Sequence, residues 1–168
     1  AIHAIQVGLE CMRLGLEFEL HCYGQGSLKS QMQALAAQAK GKARIFVHDA
    51  IAYPDLVKLS RNFDIFVCCH IQSDPSCTYL ESFGAGLPVV GYNNRMWKRL
   101  SQESGAGFAS RLGAPALVAQ SVNELAEQDA LLASMSYRAR EFALEHCFER
   151  EHASRTSDIN TVLASSQV

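Results

Sequence analysis

The residues best suited to chemistry lie in one stretch, His70-Ile71-Gln72-Ser73-Asp74-Pro75-Ser76-Cys77-Thr78-Tyr79-Leu80-Glu81. A helix is predicted from about Thr78. Its leading backbone N–H groups, at Cys77, Thr78 and Tyr79, would face outward with the positive end of the helix dipole and suit phosphate oxygens. Glu81 lies one turn further in, where its carboxylate could reach a ribose diol. Asp74 lies before the helix and could reach a sugar hydroxyl. The same residue types also fit plain structure. Thr78-x-x-Glu81 matches a capping box, and Asp74-Pro75-Ser76 is ordinary turn chemistry.

Smaller signals stand elsewhere. Gly24-Gln25-Gly26 follows a strand-like run, and His48-Asp49 follows another; the histidine suits either a ligand contact or a turn. Arg95, Lys98 and Arg99 fit a solvated helix face or a cationic approach to a cleft. Trp97, the only tryptophan, fits core packing or a stacking platform. The six cysteines include no Cys-x-x-Cys pair, which reads as reduced thiols in a cytosolic core rather than a disulfide frame. The histidines are scattered, so no metal site is expected.

These residues need elements to position them. Ile2, Ile5, Leu9, Met12 and Leu16 recur at helical spacing from the first residue. No capping residue precedes them and there is no initiator Met, which reads as a domain entered after its true start. Phe18, Leu20 and Cys22 alternate with Glu19, His21 and Tyr23 in a strand pattern. Ser27 can cap a helix striped by Leu28, Met32, Leu35, Ala36 and Ala39. A short strand follows at Arg44–Val47, then a helix with Pro54 in its first turn. Phe63–Cys69 is nearly continuous apolar sequence, the mark of a strand buried on both faces. A helix over Thr78–Ala85, a strand at Pro88–Gly91 and helical stripes from Arg95 onward complete the pattern. Strands alternating with helices imply a doubly wound parallel sheet with helices on both faces, in a single domain over residues 1–168. Ligands of such sheets bind beyond the carboxyl ends of the strands, which points to the loops at Gly24–Ser27, His48–Pro54 and His70–Thr78.

One motif is more specific. Glu81-Ser82-Phe83-Gly84-Ala85-Gly86-Leu87-Pro88-Val89-Val90 resembles the signature of the group 1 glycosyltransferases (glycosyltransferase family 4). That signature is a glutamate, a helix of small residues ending in Gly, then x-Pro-Val-Val. Gly24-x-Gly26, the run from Leu56 to Val67, and the late helix from Met135 to Phe148 fall in the family's order, so the resemblance covers nearly the whole chain. It implies one Rossmann-like half of a GT-B enzyme, the C-terminal donor-binding half. The N-terminal acceptor domain of the same polypeptide lies outside the chain, and any membrane contact is expected through it. The donor is a nucleotide diphosphate sugar, transferred with retention to a hydroxyl acceptor. No cofactor or metal is obligatory. The setting implied is bacterial polysaccharide, lipopolysaccharide or glycoconjugate assembly on the cytoplasmic side.

Carried over by position, the donor-binding set is Gly24, Gly26, His48, Asp74, Ser76, Cys77, Thr78, Tyr79 and Glu81. Glu81 matches the family's ribose-binding glutamate. The glutamate expected eight positions earlier is Ser73 here, with Asp74 the adjacent carboxylate. The Arg and Lys that grip the diphosphate in the family precede the first helix and have no counterpart in this sequence. A dinucleotide-binding oxidoreductase is disfavoured, because the third glycine of Gly-x-Gly-x-x-Gly would fall at Lys29. A nucleotide-binding regulatory module is the remaining rival. With 168 residues, 48% apolar and 19% charged, and a net charge of -2, the chain has the size of one globular domain and no bias toward nucleic acid.

Overall fold

The computed structural model describes residues 1–72 and 77–165, with backbone alone for the last two of these. Helix α1 spans Ile2–Arg13 and buries Ile5, Val7, Gly8, Leu9 and Cys11. Gly15, at a φ of 85° that disfavours other residues, turns the chain toward the sheet. There follow β1 (Phe18–Tyr23), α2 (Lys29–Ala36), β2 (Ala43–His48) and α3 (Tyr53–Ser60), the last with Pro54 in its first turn. Then come β3 (Phe66–Cys68), α4 (Thr78–Gly84), β4 (Val89–Tyr92), α5 (Arg95–Ser104) and β5 (Gly107–Ser110). Helices α6 (Pro115–Ala126), α7 (Asp129–Glu145) and α8 (Phe148–Ser165) close the described chain.

All pairings are parallel, and helices pack on both faces, as a doubly wound fold requires. Hydrogen bonding divides the strands into a pair, β1-β2, and a triplet, β3-β4-β5. In the pair, Phe18 is opposite Ala43 and Tyr23 opposite His48. In the triplet, β4 is central and wholly buried. Val89 packs with Cys68, Tyr79, Phe83 and Trp97 on one face. Val90 and Tyr92 pack with Val7, Cys11, Val118 and Ala119 on the other.

Two sequence expectations change. The apolar run Phe63–Cys69 pairs only at Phe66–Cys68, and of these only Cys68 is buried while Phe66 and Val67 are half-buried. The strand fully buried on both faces is β4; β3 lies at the edge of its hydrogen-bonded triplet, with Val67 and Phe66 packed on opposite cores but only partly covered. The segment Gly107–Ser110, which has no β-branched residue to announce it, is a strand within the stretch read as helical stripes.

The strands approach too closely for side chains at two points. A Cβ at Gly91 would lie 2.2 Å from the Cys68 carbonyl oxygen, and one at Gly107 would lie 1.9 Å from that of Val89. Gly91→Ala should therefore destabilise the chain by roughly 3 kcal/mol, read as a lower denaturant midpoint at an unchanged slope.

Burial pushes the thiols of Cys11 and Cys69 from 9.0 up to about 12. Unfolded thiols lose their protons first, so the unfolded state binds fewer protons above pH 9. Stability should be intact below that pH and fall as pH rises toward 12, measurable as a declining melting temperature.

Candidate functional site at the carboxyl edge

A cleft of about 350 Å³ opens beyond β1 and β2, with Ala1, Tyr23, Gly24, Gly26, Lys29 and His48 among its lining residues. Three residues singled out in the sequence, Gly24, Gly26 and His48, thus meet in one place. No protein atom lies within 4 Å of where a Cβ at Gly24 or Gly26 would stand. Packing does not demand glycine there; the space is open to the cleft.

Burial raises the thiols of Cys22, in β1, and Cys69, just past β3. Lys29, at the start of α2, is a cation at the cleft and is ion-paired with Asp49.

His48 belongs to an aromatic ladder on one face of the sheet pair. Tyr23 stacks on it with ring centroids 4.4 Å apart and planes inclined by 12°. Nε2 of His48 lies 3.0 Å from Nδ1 of His21. Nε2 of His21 lies 3.2 Å from Oε2 of Glu19, whose Oε1 is 2.8 Å from Nη2 of Arg44. The alternation of Glu19, His21 and Tyr23 was visible in the sequence, but their meeting with Arg44 and His48 depends on the β1–β2 register.

Glu81 and Cys77 lie outside this cleft, at α4. Cys77 is the N-cap and makes no side-chain cap bond. Thr78 is already helical, so it is not the cap of a Thr78–Glu81 box. The first intrahelical bond runs from the Glu81 N–H to the Cys77 carbonyl, 3.0 Å, and the amides ahead of it precede the helical ladder. The exposed Glu81 carboxylate instead accepts a hydrogen bond from the Tyr53 hydroxyl at 3.2 Å. The charge of Glu81 in turn raises the Tyr53 phenol above its ordinary range. Tyr53 carried no sequence signal.

Tyr79 was singled out for its backbone N–H. Its side chain belongs to the core, 1% exposed and stacked on Trp97 with centroids 5.3 Å apart, which leaves the backbone as the part that can serve a ligand. The buried Asn94 organises this region. Its Nδ2 donates to the His70 carbonyl and to the Tyr79 hydroxyl, each at 3.0 Å. Its Oδ1 accepts from the Trp97 N–H at 2.8 Å and so caps α5. Trp97 is core, 0% exposed, with its indole N–H bonded to the Phe108 carbonyl at 3.0 Å. Arg95, Lys98 and Arg99 are exposed, and Arg99 pairs with Glu103 one turn on, as on a solvated helix face. Asp74 and Ser76, together with Ser73, lie outside the described residues.

Among the described residues, no three His, Cys, Asp or Glu side chains are grouped to hold a metal ion, and no helix is long and apolar enough to cross a membrane.

Two outcomes follow. Asn94→Ala removes a cap and takes a donor from the His70 carbonyl and from the buried Tyr79 hydroxyl, and should cost on the order of 3 kcal/mol in denaturant unfolding. Cys77 is exposed whereas Cys11 and Cys68 are buried, so limited iodoacetamide should label Cys77 well before either, as peptide mass mapping will show.

A family model described as "Glycosyl transferases group 1" matches residues 7–142. No curated protein matches. Among solved structures, a TarM variant of S. aureus, in complex with fondaparinux, α-GlcNAc-glycerol and UDP, aligns with a TM-score of 0.75 and 18% identity. The alignment covers 89% of this chain and 30% of that one. WaaG, a glycosyltransferase involved in lipopolysaccharide biosynthesis, aligns with a TM-score of 0.75 and 17% identity, over 94% of this chain and 42% of its own. The pneumococcal O-GlcNAc transferase GtfA, in complex with UDP and GlcNAc, gives 0.72 and 16%, over 96% and 32%. The chain thus spans well under half the length of each of these structures.

Proposed function

Because the chain belongs to the group 1 glycosyl transferases, we propose that it is the donor-binding domain of a retaining enzyme. That enzyme transfers a sugar from a nucleotide diphosphate sugar to a hydroxyl acceptor, in the assembly of surface polysaccharide, lipopolysaccharide or another glycoconjugate. The observation that carries this reading is the set of groups at the carboxyl edge. An open glycine-walled cleft holds His48 and Lys29, and the exposed Glu81 carboxylate stands at the start of α4. Two structural neighbours in complex with UDP and a GlcNAc compound, and a third involved in lipopolysaccharide biosynthesis, support the substrate class and the setting.

In this reading the base enters the cleft and the ribose extends from it toward Glu81, which meets the diol. The diphosphate lies along the start of α4, and Asp74 is the proposed contact to the donor sugar. The acceptor hydroxyl oxygen bonds to the anomeric carbon as the bond to the diphosphate breaks, and the departing phosphate takes the hydroxyl proton. The fold's task is to stabilise the charge that develops on that phosphate. The rest of the polypeptide, which accounts for the greater length of the neighbours, supplies the acceptor site and further cations. Transfer needs both substrates held in near-attack geometry. The 168-residue chain alone should therefore leave sugar-nucleotide turnover at background with any acceptor.

The ribose assignment has its own test. A carboxylate can accept hydrogen bonds from both hydroxyls of a vicinal diol, and a charge-assisted bond is worth about 1.5–3 kcal/mol. Glu81→Gln should weaken a ribonucleoside diphosphate by about tenfold or more. Titrating the original chain and Glu81→Gln, each with the ribonucleotide and its 2′,3′-dideoxy analogue, completes a double-mutant cycle. The loss of the hydroxyls should cost much in the original and little in the variant. Equal penalties in both would remove Glu81 from the ribose.

A further inference from the structure

The chain Arg44–Glu19–His21–His48 has a direction, and the chemistry of its members sets it. Arg44 can only donate, so it takes a Glu19 oxygen, Oε1, at 2.8 Å. The other oxygen, Oε2, is an acceptor and stands 3.2 Å from His21 Nε2, so that nitrogen carries a proton. In a neutral imidazole the opposite nitrogen is then a lone pair. His21 Nδ1 is therefore the acceptor of the 3.0 Å contact, and His48 Nε2 is its donor. The ring geometry fits an in-plane N–H···N bond. The His21 and His48 centroids are 5.2 Å apart with planes inclined by only 7°, which with nitrogens in contact means two nearly coplanar rings meeting end to end. What is left on His48, a residue of the cleft lining, is the Nδ1 lone pair.

We propose that Glu19 and His21 are positioning residues that hold His48 in its Nε2–H tautomer, so that it offers an acceptor to a ring N–H on the base of a bound nucleotide. The recognition step rests on the nucleotide-binding reading above. The bases with such an N–H are the keto bases, uracil and guanine in ribonucleotides; the corresponding ring nitrogen of adenine is itself a lone pair. Tyr23, stacked on His48, restricts the ring from tilting. Phe46 and Phe63 flank His21, with centroids 4.7 and 5.3 Å away. The nearby charges are Glu19 and Arg44 on the sheet face and the Lys29–Asp49 pair at the cleft. Because no third ligating side chain joins the two histidines among the described residues, a shared proton rather than a metal ion accounts for their contact.

Glu19→Gln is the informative variant, because it keeps shape and reverses polarity. Arg44 still requires an oxygen and takes the amide Oε1. The amide NH2 then replaces Oε2 and donates to His21 Nε2. His21 must carry its proton on Nδ1 and donate to His48, which moves to the Nδ1–H tautomer and offers the cleft a donor. Long-range 1H–15N correlation of the histidine rings reads each tautomer, and one-bond coupling of the bridging proton shows which nitrogen holds it. At a pH where free imidazole is neutral, the bridging proton should sit on His48 Nε2 in the original chain and on His21 Nδ1 in Glu19→Gln. A bridging proton on His21 in the original, or one that stays on His48 in the variant, would overturn the proposal.

The recognition step is read by titrating UDP, GDP, their base-N-methylated analogues and ADP into both proteins. In the original chain the favoured keto nucleotide should outbind ADP and lose about tenfold on N-methylation, the scale of one hydrogen bond. In Glu19→Gln that penalty should vanish. Nucleotide binding with no methylation penalty in the original would overturn the base contact while leaving the donor site in place. Failure of every nucleotide to bind either protein would sink the donor-site reading and the base contact together, and the proton assignments would still decide the relay.

Discussion

Packing of α1 against both hydrogen-bonded groups of strands is the constraint on which the rest of the structure depends. The β1–β2 pair and the β3–β5 triplet share no strand ladder among the described residues. Helix α1 joins them through two stripes of side chains. Ile5 and Leu9 pack with Cys22, Ala36, Ile45 and Val47 of the first unit. Val7 and Cys11 pack with Val90, Tyr92, Val118 and Ala119 of the second. Gly8 lies so near the first sheet that a Cβ there would meet Ile45 and Leu20 side-chain carbons at 2.9 Å. The cleft belongs to the pair and Glu81 to the triplet. Phe18 of β1 packs on the same core as Val67 and Val90. The separation of the cleft and Glu81 across the carboxyl edge is therefore set by α1 together with this contact, and loosening α1 would move the two parts of the candidate site relative to each other.

The second unit is organised from within by Asn94. A neutral amide has two donors and one strong acceptor, and here all act on different partners. One end of the side chain starts α5, while the other holds the end of β3 and the hydroxyl of Tyr79. A buried polar group satisfied this fully specifies geometry that apolar packing alone would leave loose. It explains why Tyr79 turns inward: its ring completes the stack on Trp97 and its hydroxyl closes the Asn94 network. The start of α4 is thus fixed by the core beneath it, and its side chains at Cys77 and Glu81 are left for solvent or ligand.

How much of this was legible in the sequence follows from the range of each interaction. Strands and helices declared by local pattern are where the pattern places them. The alternation at Phe18–Tyr23 and the Pro88-Val89-Val90 run are strands, and Pro54 opens a helix. The apolar run at Phe63–Cys69 overstated β3, because hydrophobicity reports burial and not pairing. The segment Gly107–Ser110 was silent because its strand character comes from close approach to β4, which glycine permits and which no local signal records. At the candidate site, Gly24, Gly26, His48 and Glu81 were marked by type and by family order. Tyr53, Asn94 and the Glu19–His21 relay were not, since each acts across a strand register or between helices distant in sequence. The inward turn of the Tyr79 side chain was silent for the same reason: position in a motif says where the backbone is, while the direction of a side chain depends on its neighbours.

The electrostatics of the carboxyl edge divide the labour on the proposed function. A nucleoside diphosphate needs recognition of its base and ribose, and it needs charge to meet its phosphates. The described residues are rich in the first and poor in the second. Lys29 is already balanced by Asp49, and Arg99 is held by Glu103. Arg95 and Lys98 are exposed on the same helix, where solvent screens them. The groups that remain, His48 with its fixed proton, Glu81 with the Tyr53 hydroxyl and the glycine-walled cleft, are directional hydrogen-bonding groups rather than charges. Such groups discriminate between ligands more than they attract them, because a wrong partner leaves a polar group unpaired. On this reading the domain selects the nucleotide, and the affinity for its phosphates depends on cations brought to the same edge by the rest of the polypeptide. Donor binding and the joining of the two halves would then be one coupled event, with selectivity residing in this domain and grip in its partner.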